Sequence, residues 1–212
     1  MAAKISQVGN DALLVVDVQN DFCKGGTLAV PSANEVVPVI NDLADRFAHT
    51  IITQDWHPPD HTSFASQHDG SEPYQTITLG YGEQVLWPDH CVQHSAGAEF
   101  HDKLAVTNCE LIVRKGFRRE IDSYSAFFEN DHKTPTGLGG YLRERELTRL
   151  FVTGLATDFC VRFSAVDARS QGFEVMLVED ACRCIDNDGS MDAAMREMND
   201  VGVTFIESNS IG

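Results

Sequence analysis

Long apolar runs are missing from this 212-residue sequence. The longest uninterrupted run, Ala12 to Val16, has five residues, whereas a membrane-spanning helix needs about 20. The same run is too short for the apolar core of a signal peptide, and we find no other export signal. We therefore expect a cytoplasmic protein without a transmembrane helix.

Basic residues are also scarce. Lysine and arginine together number 16 against 32 aspartates and glutamates, which gives a formal net charge of −16 at pH 7. A surface with this charge repels phosphate groups, so nucleic acids and membranes are not expected partners. Solubility is the simplest explanation of the acidity. Whether the protein is a monomer or a homo-oligomer stays open.

Paired cysteine motifs are absent as well. The six cysteines show neither a Cys-x-x-Cys pair nor the Cys/His spacing of a zinc finger. Disulfides are not expected in a chain of this length without an export signal, because cytosolic thiols stay reduced. At most one cysteine is expected to be reactive, while the others are expected to be small core residues.

The sequence does contain short apolar runs that alternate with stretches of helical periodicity. The pattern predicts strands at residues 12–17, 50–55, 110–115, 149–154, 174–179 and 203–206, and helices at 35–47, 137–146, 158–171 and 190–200. This alternation indicates an α/β, Rossmann-like fold: a single domain over residues 1–212 with a mainly parallel six-stranded sheet and helices on both faces. Residues 56–101 show little periodicity, so we interpret them as a functional loop.

Chemically active side chains follow the predicted strands. Asp17 and Lys115 end predicted strands and Cys160 follows another, and parallel strands place their carboxyl ends at one sheet edge. Cys160 falls in the first turn of a predicted helix that Thr157 or Asp158 can cap, and a helix N-terminus lowers a thiol pKa. Lys115 can then stabilise a thiolate, and Asp17 can carry its proton. The alternatives are a buried structural cysteine, a solvated lysine and a strand-end aspartate.

A second group of residues has the composition of a metal site. Asp55 and His57 end the second predicted strand, and His61 and His90 follow in the long loop. One carboxylate with two or three imidazoles suits Zn²⁺, Fe²⁺ or Mn²⁺ and leaves positions open for a ligand. We therefore expect a metal and substrate loop over about residues 55–105.

Three aromatic residues lie near these groups in the sequence. Phe22 follows Asp17, Trp87 precedes His90, and Tyr124 follows Lys115. Together they can form a flat slot for an aromatic ring. The alternative, that they are ordinary core aromatics, is equally compatible with each residue taken singly.

The combined motifs resemble the nicotinamidases of the isochorismatase-like cysteine hydrolase superfamily. The resemblance covers nearly the whole chain, in order, through Asp17-Val-Gln-Asn-Asp-Phe22, Asp55-Trp-His57-Pro-Pro-Asp-His61, Trp87-Pro-Asp-His90-Cys-Val92, Lys115-Gly116, Asp122-Ser-Tyr124 and Gly154-Leu-Ala156-Thr-Asp-Phe-Cys160. It implies hydrolysis of nicotinamide to nicotinate and ammonia in NAD salvage, and of pyrazinamide as well. It also implies an isochorismatase-like fold.

The resemblance further implies a role for each motif residue. Asp17, Lys115 and Cys160 would be the catalytic triad, and the Ala156 and Cys160 amides, after a cis Leu155–Ala156 peptide, would form an oxyanion hole. A divalent metal ion, most simply Zn²⁺, would be bound by Asp55, His57 and His90, with His61 as an additional ligand or a supporting residue. The substrate ring would be bound by Phe22, Trp87 and Tyr124.

Three other interpretations of the motifs remain. A metal-free amidase of the same superfamily, acting on carbamoyl-amine or ureido groups, has no need of Asp55, His57 and His90. A non-catalytic ligand-binding relative would not need the complete triad. An isochorismatase proper lacks the nucleophilic cysteine, so Cys160 argues against it.

Overall fold

The computed structural model describes residues 4–212, and its centre is a sheet of six parallel strands. In chain order these strands are β1 (Asp11–Val16), β2 (Thr50–Asp55), β5 (Cys109–Lys115), β6 (Arg149–Leu155), β7 (Glu174–Arg183) and β8 (Thr204–Ile206). Their order across the sheet is β5-β2-β1-β6-β7-β8. Two further strands, β3 (Thr76–Leu79) and β4 (Gly82–Val85), form a separate antiparallel hairpin.

Helices cover both faces of the six-stranded sheet, as predicted. Helix α1 (Val36–Ala44) packs on one face, while α2 (Leu138–Glu144), α3 (Arg162–Ser170) and α4 (Ser190–Asp200) pack on the other. All six residues of β1 are buried. Because successive side chains of a strand point to opposite faces, Leu13 joins the α1 side and Leu14 joins the α2–α4 side.

The strand order reverses at the centre of the sheet. From β1 the chain adds β2 and β5 on one side, and it then returns to add β6, β7 and β8 on the other side. The connections that leave the neighbouring strands β1 and β6 therefore run in opposite directions. This leaves a crevice beyond the carboxyl ends of the two strands. Asp17 follows β1 at this point and Ala156 follows β6.

Several element boundaries differ from the sequence prediction. The loop predicted at 56–101 contains the β3–β4 hairpin, and the predicted helix 158–171 is divided into a wide turn of π-helical form over Thr157–Val161 and the regular helix α3. Strand β7 extends to Arg183, four residues beyond its predicted end. Within residues 4–212, the helices are too short or too polar to cross a bilayer.

Candidate active site

Asp17 stands at the base of the crevice, immediately after β1. Its side chain is completely buried, and its backbone has a φ of 49°, which turns the chain sharply at the strand end. Thr53 of β2 donates its hydroxyl to Asp17 Oδ1 at 2.6 Å and accepts the Asp17 N–H at 3.1 Å. The two hydrogen bonds fix the carboxylate and leave Oδ2 directed toward the neighbouring groups.

Lys115 connects the groups at the sheet edge. It ends β5, is 1% exposed, and pairs in register with Asp55 of β2. Its ammonium contacts the Asp55 carboxylate, lies 2.7 Å from Asp17 Oδ2, and donates to the Ser123 carbonyl at 3.1 Å. It also lies 3.3 Å from the sulfur of Cys160. The alternative of a solvated lysine is therefore wrong.

The charges of this cluster determine the ionisation of each member. Burial raises the pKa of Asp17 to about 6, with Lys115 opposing the rise and Asp55 adding to it. Burial acts to raise the pKa of Asp55 too, but Lys115 and His57 outweigh it and hold that pKa well below its usual range. Burial acts to lower the pKa of Lys115, yet Asp17 and Asp55 raise it well above normal. Lys115 therefore stays an ammonium ion.

Cys160 lies in the wide turn over Thr157–Val161 that follows β6. The Leu155–Ala156 peptide is cis, as the resemblance implies. The turn has no side-chain cap, so the predicted capping role of Thr157 or Asp158 is wrong. The buried Asp158 carboxylate instead accepts hydrogen bonds from the loop after β7.

The environment of the Cys160 thiol differs from the predicted one. The ligand atoms of Asp17, Asp55 and Cys160 lie within 4.8 Å of one another. Burial raises the pKa of Cys160 well above its usual value, and the charge of Lys115 only partly offsets this effect. The predicted lowering of this pKa is wrong, because desolvation and the two carboxylates outweigh the lysine. Cys160 is a thiol at rest, beside a carboxylate that can accept its proton.

The second predicted group, Asp55, His57 and His90, also assembles. The Nε2 atoms of His57 and His90 lie 3.6 and 3.9 Å from Asp55 Oδ2, and the three ligand atoms are mutually within 4.8 Å. The Nδ1 atom of His57 bonds to the Gly116 carbonyl at 2.9 Å, and that of His90 bonds to the Pro88 carbonyl at 2.8 Å. Both Nε2 atoms therefore face the carboxylate, which is the arrangement that a divalent metal ion requires once these nitrogens are deprotonated.

The ionisation of the two imidazoles follows from their surroundings. Burial lowers the pKa of His90 to about 4, and the charge of His57 adds to this effect. Burial also acts to lower the pKa of His57, but its hydrogen bond and attraction to Asp55 outweigh burial and raise it. His90 is therefore neutral at pH 7, in the form that binds a metal.

His61 lies beside this group and is held by its own hydrogen bonds. Its ring centroid is 4.3 Å from that of His57. Its Nδ1 bonds to the Ser63 hydroxyl at 2.7 Å, and its Nε2 lies 3.2 Å from the Ile121 carbonyl. His57, His61 and Asp122 form a further cluster of ligand atoms within 4.8 Å. His61 therefore suits a supporting role, and its function as a direct ligand stays a prediction.

A narrow cleft opens above these groups. Its wall includes the three predicted aromatics Phe22, Trp87 and Tyr124, and its base includes Ala156 and Cys160. The rings do not stack flat, because Trp87 meets Tyr124 edge to face at 6.3 Å and 85°. Four lining residues were not identified from the sequence: Leu28, Asp122, Phe159 and Ile185.

Some of these omissions had a signal in the sequence. Asp122 lies in the same motif as Tyr124, although only Tyr124 was predicted to line the slot. Phe159 is adjacent to Cys160. Ile185 had none, because it lies beyond β7 and reaches the cleft only through the fold. Gln19 was also missed. It is fully buried and holds the backbone of Asp55 in place, accepting its N–H at 2.8 Å and donating to its carbonyl at 2.9 Å.

Comparison with known proteins gives a consistent result. The sequence profile of the isochorismatase domain matches residues 11–210. A nicotinamidase of Acinetobacter baylyi is 51% identical over 208 residues, which cover 98% of this chain and 97% of that protein. These extents and identities are far above what a shared fold alone would require.

Solved structures agree with the sequence comparison. A nicotinamidase and pyrazinamidase of Acinetobacter baumannii superposes with a TM-score of 0.95 at 53% identity, covering 96% of this chain and 98% of that one. A structure from L. infantum in complex with nicotinate has a TM-score of 0.85 at 37% identity and covers 97% and 98% of the two chains. The pyrazinamidase of Pyrococcus horikoshii in complex with zinc has a TM-score of 0.77 at 32% identity and covers 93% and 99%.

Proposed function

The chain belongs to the isochorismatase-domain family, and from this premise we propose that it is an amidohydrolase that converts nicotinamide into nicotinate and ammonia, and that hydrolyses pyrazinamide in the same way. The observation that carries the proposal is one arrangement of buried groups. Cys160, Asp17 and Lys115 meet at the base of an aromatic-walled cleft, beside the ligand trio Asp55, His57 and His90.

The first half of the proposed reaction forms a thioester. The Cys160 sulfur attacks the carboxamide carbon while its proton passes to the Asp17 carboxylate, and Lys115 stabilises the charge that develops on sulfur. The backbone N–H groups of Ala156 and Cys160 would donate to the resulting oxyanion. Asp17 then gives its proton to the amide nitrogen, the C–N bond breaks, and ammonia leaves.

The second half hydrolyses the thioester. A water molecule gives a proton to Asp17 and attacks the thioester carbon. The C–S bond breaks, Asp17 returns the proton to the Cys160 sulfur, and the product leaves as nicotinate after its carboxyl group has lost the second proton of the water to solvent. Asp17 therefore acts as base and acid in turn, and a carboxyl pKa of about 6 suits both roles near neutral pH.

The proposed cofactor is one divalent metal ion held by Asp55, His57 and His90. Zn²⁺ is the simplest choice for one carboxylate and two imidazoles, and the zinc-bound pyrazinamidase supports it. When bound, the ion would supply a Lewis-acidic contact for the ring nitrogen of the substrate. Phe22, Trp87 and Tyr124 would enclose the ring.

Two further parts of the proposal concern organisation and location. We infer that residues 55–105 act as the metal and substrate loop of a single domain, because they supply His57, Trp87 and His90. A cytoplasmic location is supported by the thiols, since all six cysteines are free and the reaction requires a reduced Cys160.

The test is ammonia release from nicotinamide by purified protein, with metal analysis of the same sample. We expect turnover of nicotinamide and pyrazinamide and poor turnover of benzamide, which lacks the ring nitrogen. Turnover of carbamoyl-amines instead of nicotinamide would favour the metal-free amidase activity. Ligand binding without any hydrolysis would indicate a non-catalytic relative, and either result would refute the proposal.

A further inference from the structure

Gln84 of β4 lies at the centre of a buried hydrogen-bond network between the hairpin and the cleft. Its side chain is 1% exposed. Its Nε2 donates to Asp122 Oδ2 at 2.9 Å and to the Val85 carbonyl at 2.7 Å, and lies 2.8 Å from the Tyr124 hydroxyl. Its Oε1 accepts from the Tyr81 hydroxyl at 2.9 Å.

The surrounding groups permit only one orientation of the Gln84 amide. An amide offers two N–H donors on one side and an acceptor oxygen on the other. The nitrogen side faces a carboxylate oxygen of Asp122 and a backbone carbonyl, both of which can only accept. The oxygen side faces Tyr81 and the amide nitrogen of Asn130 at 3.2 Å. A reversed amide would place its oxygen against two acceptors, so the network holds the side chain in place.

The same network reaches the walls of the cleft. The Tyr124 hydroxyl oxygen lies between Gln84 Nε2 at 2.8 Å and Trp87 Nε1, which donates to it at 3.0 Å. Tyr124, Trp87 and Asp122 all line the cleft, whereas Gln84 does not. One buried amide is therefore connected to three wall residues on two loops, directly to Asp122 and Tyr124 and through the Tyr124 hydroxyl to Trp87.

We propose that Gln84 is a positioning residue that fixes the aromatic slot for the substrate ring, acting through Tyr124, Trp87 and Asp122. This inference rests on the proposed function for its kinetic consequence. Gln84 makes no contact with Cys160, Asp17 or Lys115 among the hydrogen bonds of residues 4–212. Loss of the amide should therefore disturb ring binding and leave the reactivity of the thiol intact.

Two variants test the proposal. Gln84→Met keeps the length of the side chain and removes every hydrogen bond. Gln84→Glu keeps the acceptor toward Tyr81 but turns an oxygen toward Asp122 and the Val85 carbonyl. Tyr81→Phe is the matched control, because it removes one bond from the oxygen side only. We expect KM for nicotinamide to rise about tenfold or more in both Gln84 variants, the cost of about one hydrogen bond, and less than about twofold in the control.

Two readouts separate positioning from loss of fold. The alkylation rate of Cys160 by iodoacetamide should stay within about twofold of wild type in a folded Gln84 variant. In a Trp56→Phe background Trp87 is the sole tryptophan of the chain, and its emission should shift to longer wavelength when Gln84 is replaced. This second measurement needs no turnover.

The outcomes are distinct. An unchanged KM together with unchanged Trp87 emission in both variants would overturn the proposal. So would a fall in kcat with slowed alkylation and an unchanged KM, because Gln84 would then act on the nucleophile. If the wild type hydrolyses no nicotinamide, the proposed function fails, and the emission of Trp87 still decides whether Gln84 positions the slot.

Discussion

The proton of the Cys160 thiol has one suitable acceptor close by. Burial raises the pKa of the thiol and keeps it protonated, while Asp17 has a pKa of about 6 and is ionised at pH 7. The two groups lie within 4.8 Å of each other, and Lys115 contacts both. In the proposed mechanism the proton therefore moves from sulfur to carboxylate during attack rather than before it.

The first prediction is a pH dependence governed by Asp17. Below its pKa the carboxyl is protonated and cannot accept the thiol proton, so kcat/KM should rise tenfold per pH unit up to about pH 6 and then level off. Initial rates between about pH 4.5 and 8 measure this. Asp17→Asn should remove the activity. A limb centred near the ordinary thiol value of about 8.5 would instead indicate a preformed thiolate equilibrium.

The second prediction concerns the nucleophile itself. Cys160→Ala should lower kcat by more than about a thousandfold, because a covalent route has no substitute for its nucleophile. The melting temperature and the metal content should stay close to wild type. Cys182→Ala is the control, since this cysteine is also buried but belongs to the core under α4. Comparable activity of the two variants would contradict the covalent mechanism.

The residues of the site could be identified from the sequence, whereas the ionisation state of the Cys160 thiol could not. Asp17, Lys115 and Cys160 were identifiable because each lies at or after the end of a predicted strand, and parallel strands end at one edge. The direction of the Cys160 pKa was predicted wrongly because it depends on depth of burial and on two carboxylates at once. Those quantities follow from packing in three dimensions and leave no local signal in the sequence.

At the scale of elements, Asp158 connects the nucleophile turn to the loop after β7. Its completely buried carboxylate accepts the N–H groups of Ile185 at 3.0 Å and Asp186 at 2.8 Å, and the Ser190 hydroxyl at 2.5 Å. Ile185 lines the cleft, and Cys160 lies two residues from Asp158. The carboxylate therefore holds two parts of the site together.

The third prediction follows from this connection. Asp158→Asn should lower the free energy of unfolding by about 1–3 kcal/mol, because one backbone N–H loses its acceptor and faces an amide N–H₂. It should also lower kcat/KM, since Ile185 and the turn lose their connection. Ser190→Ala removes the hydroxyl bond to Asp158 and the bond that the Asn187 N–H donates to that hydroxyl. It keeps both backbone bonds to Asp158 and should have a smaller effect on both quantities. Denaturant unfolding and steady-state kinetics measure them, and equal effects of the two variants would argue against a central role for Asp158.

The fourth prediction concerns the contact of β6 with β1. Gly154 has a φ of +111°, and a Cβ there would lie 2.0 Å from the Val16 carbonyl oxygen. Gly154→Ala should therefore destabilise the protein by more than about 3 kcal/mol, since backbone cannot move aside without breaking the ladder. Gly140→Ala is the matched control, because a Cβ at this exposed helical position meets nothing within 4 Å. Equal unfolding midpoints for the two variants would contradict the argument.

The elements themselves were predictable to different degrees. Strands β1 and β2 and helix α4 have strong apolar patterns, and their predicted bounds are close to the observed ones. The β3–β4 hairpin was missed because its strands have four residues each, are almost entirely exposed or half-buried, and pair only with each other. The end of β7 was missed because Glu179 and Asp180 are typical of a loop.

At the scale of the whole molecule, the sheet edge supplies a rigid frame for the proposed metal ion. Asp55 is held by Gln19, and the imidazoles of His57 and His90 are anchored to backbone carbonyls. None of these contacts depends on an ion. Removal of the metal should therefore alter substrate binding more than the fold, although a bound ion would still raise the melting temperature by mass action.

The fifth prediction is the response to metal removal. Dialysis against a chelator should raise KM and lower kcat for nicotinamide together, because ring binding and ring orientation are lost at once. Iodoacetamide should still label Cys160, since Asp17 and Lys115 remain beside it. His90→Ala should reproduce the chelated state, and His61→Ala should be milder, because the His61 ring is already bonded to Ser63 and close to the Ile121 carbonyl. Full turnover in chelator by protein without stoichiometric metal would show that Asp55, His57 and His90 serve another purpose.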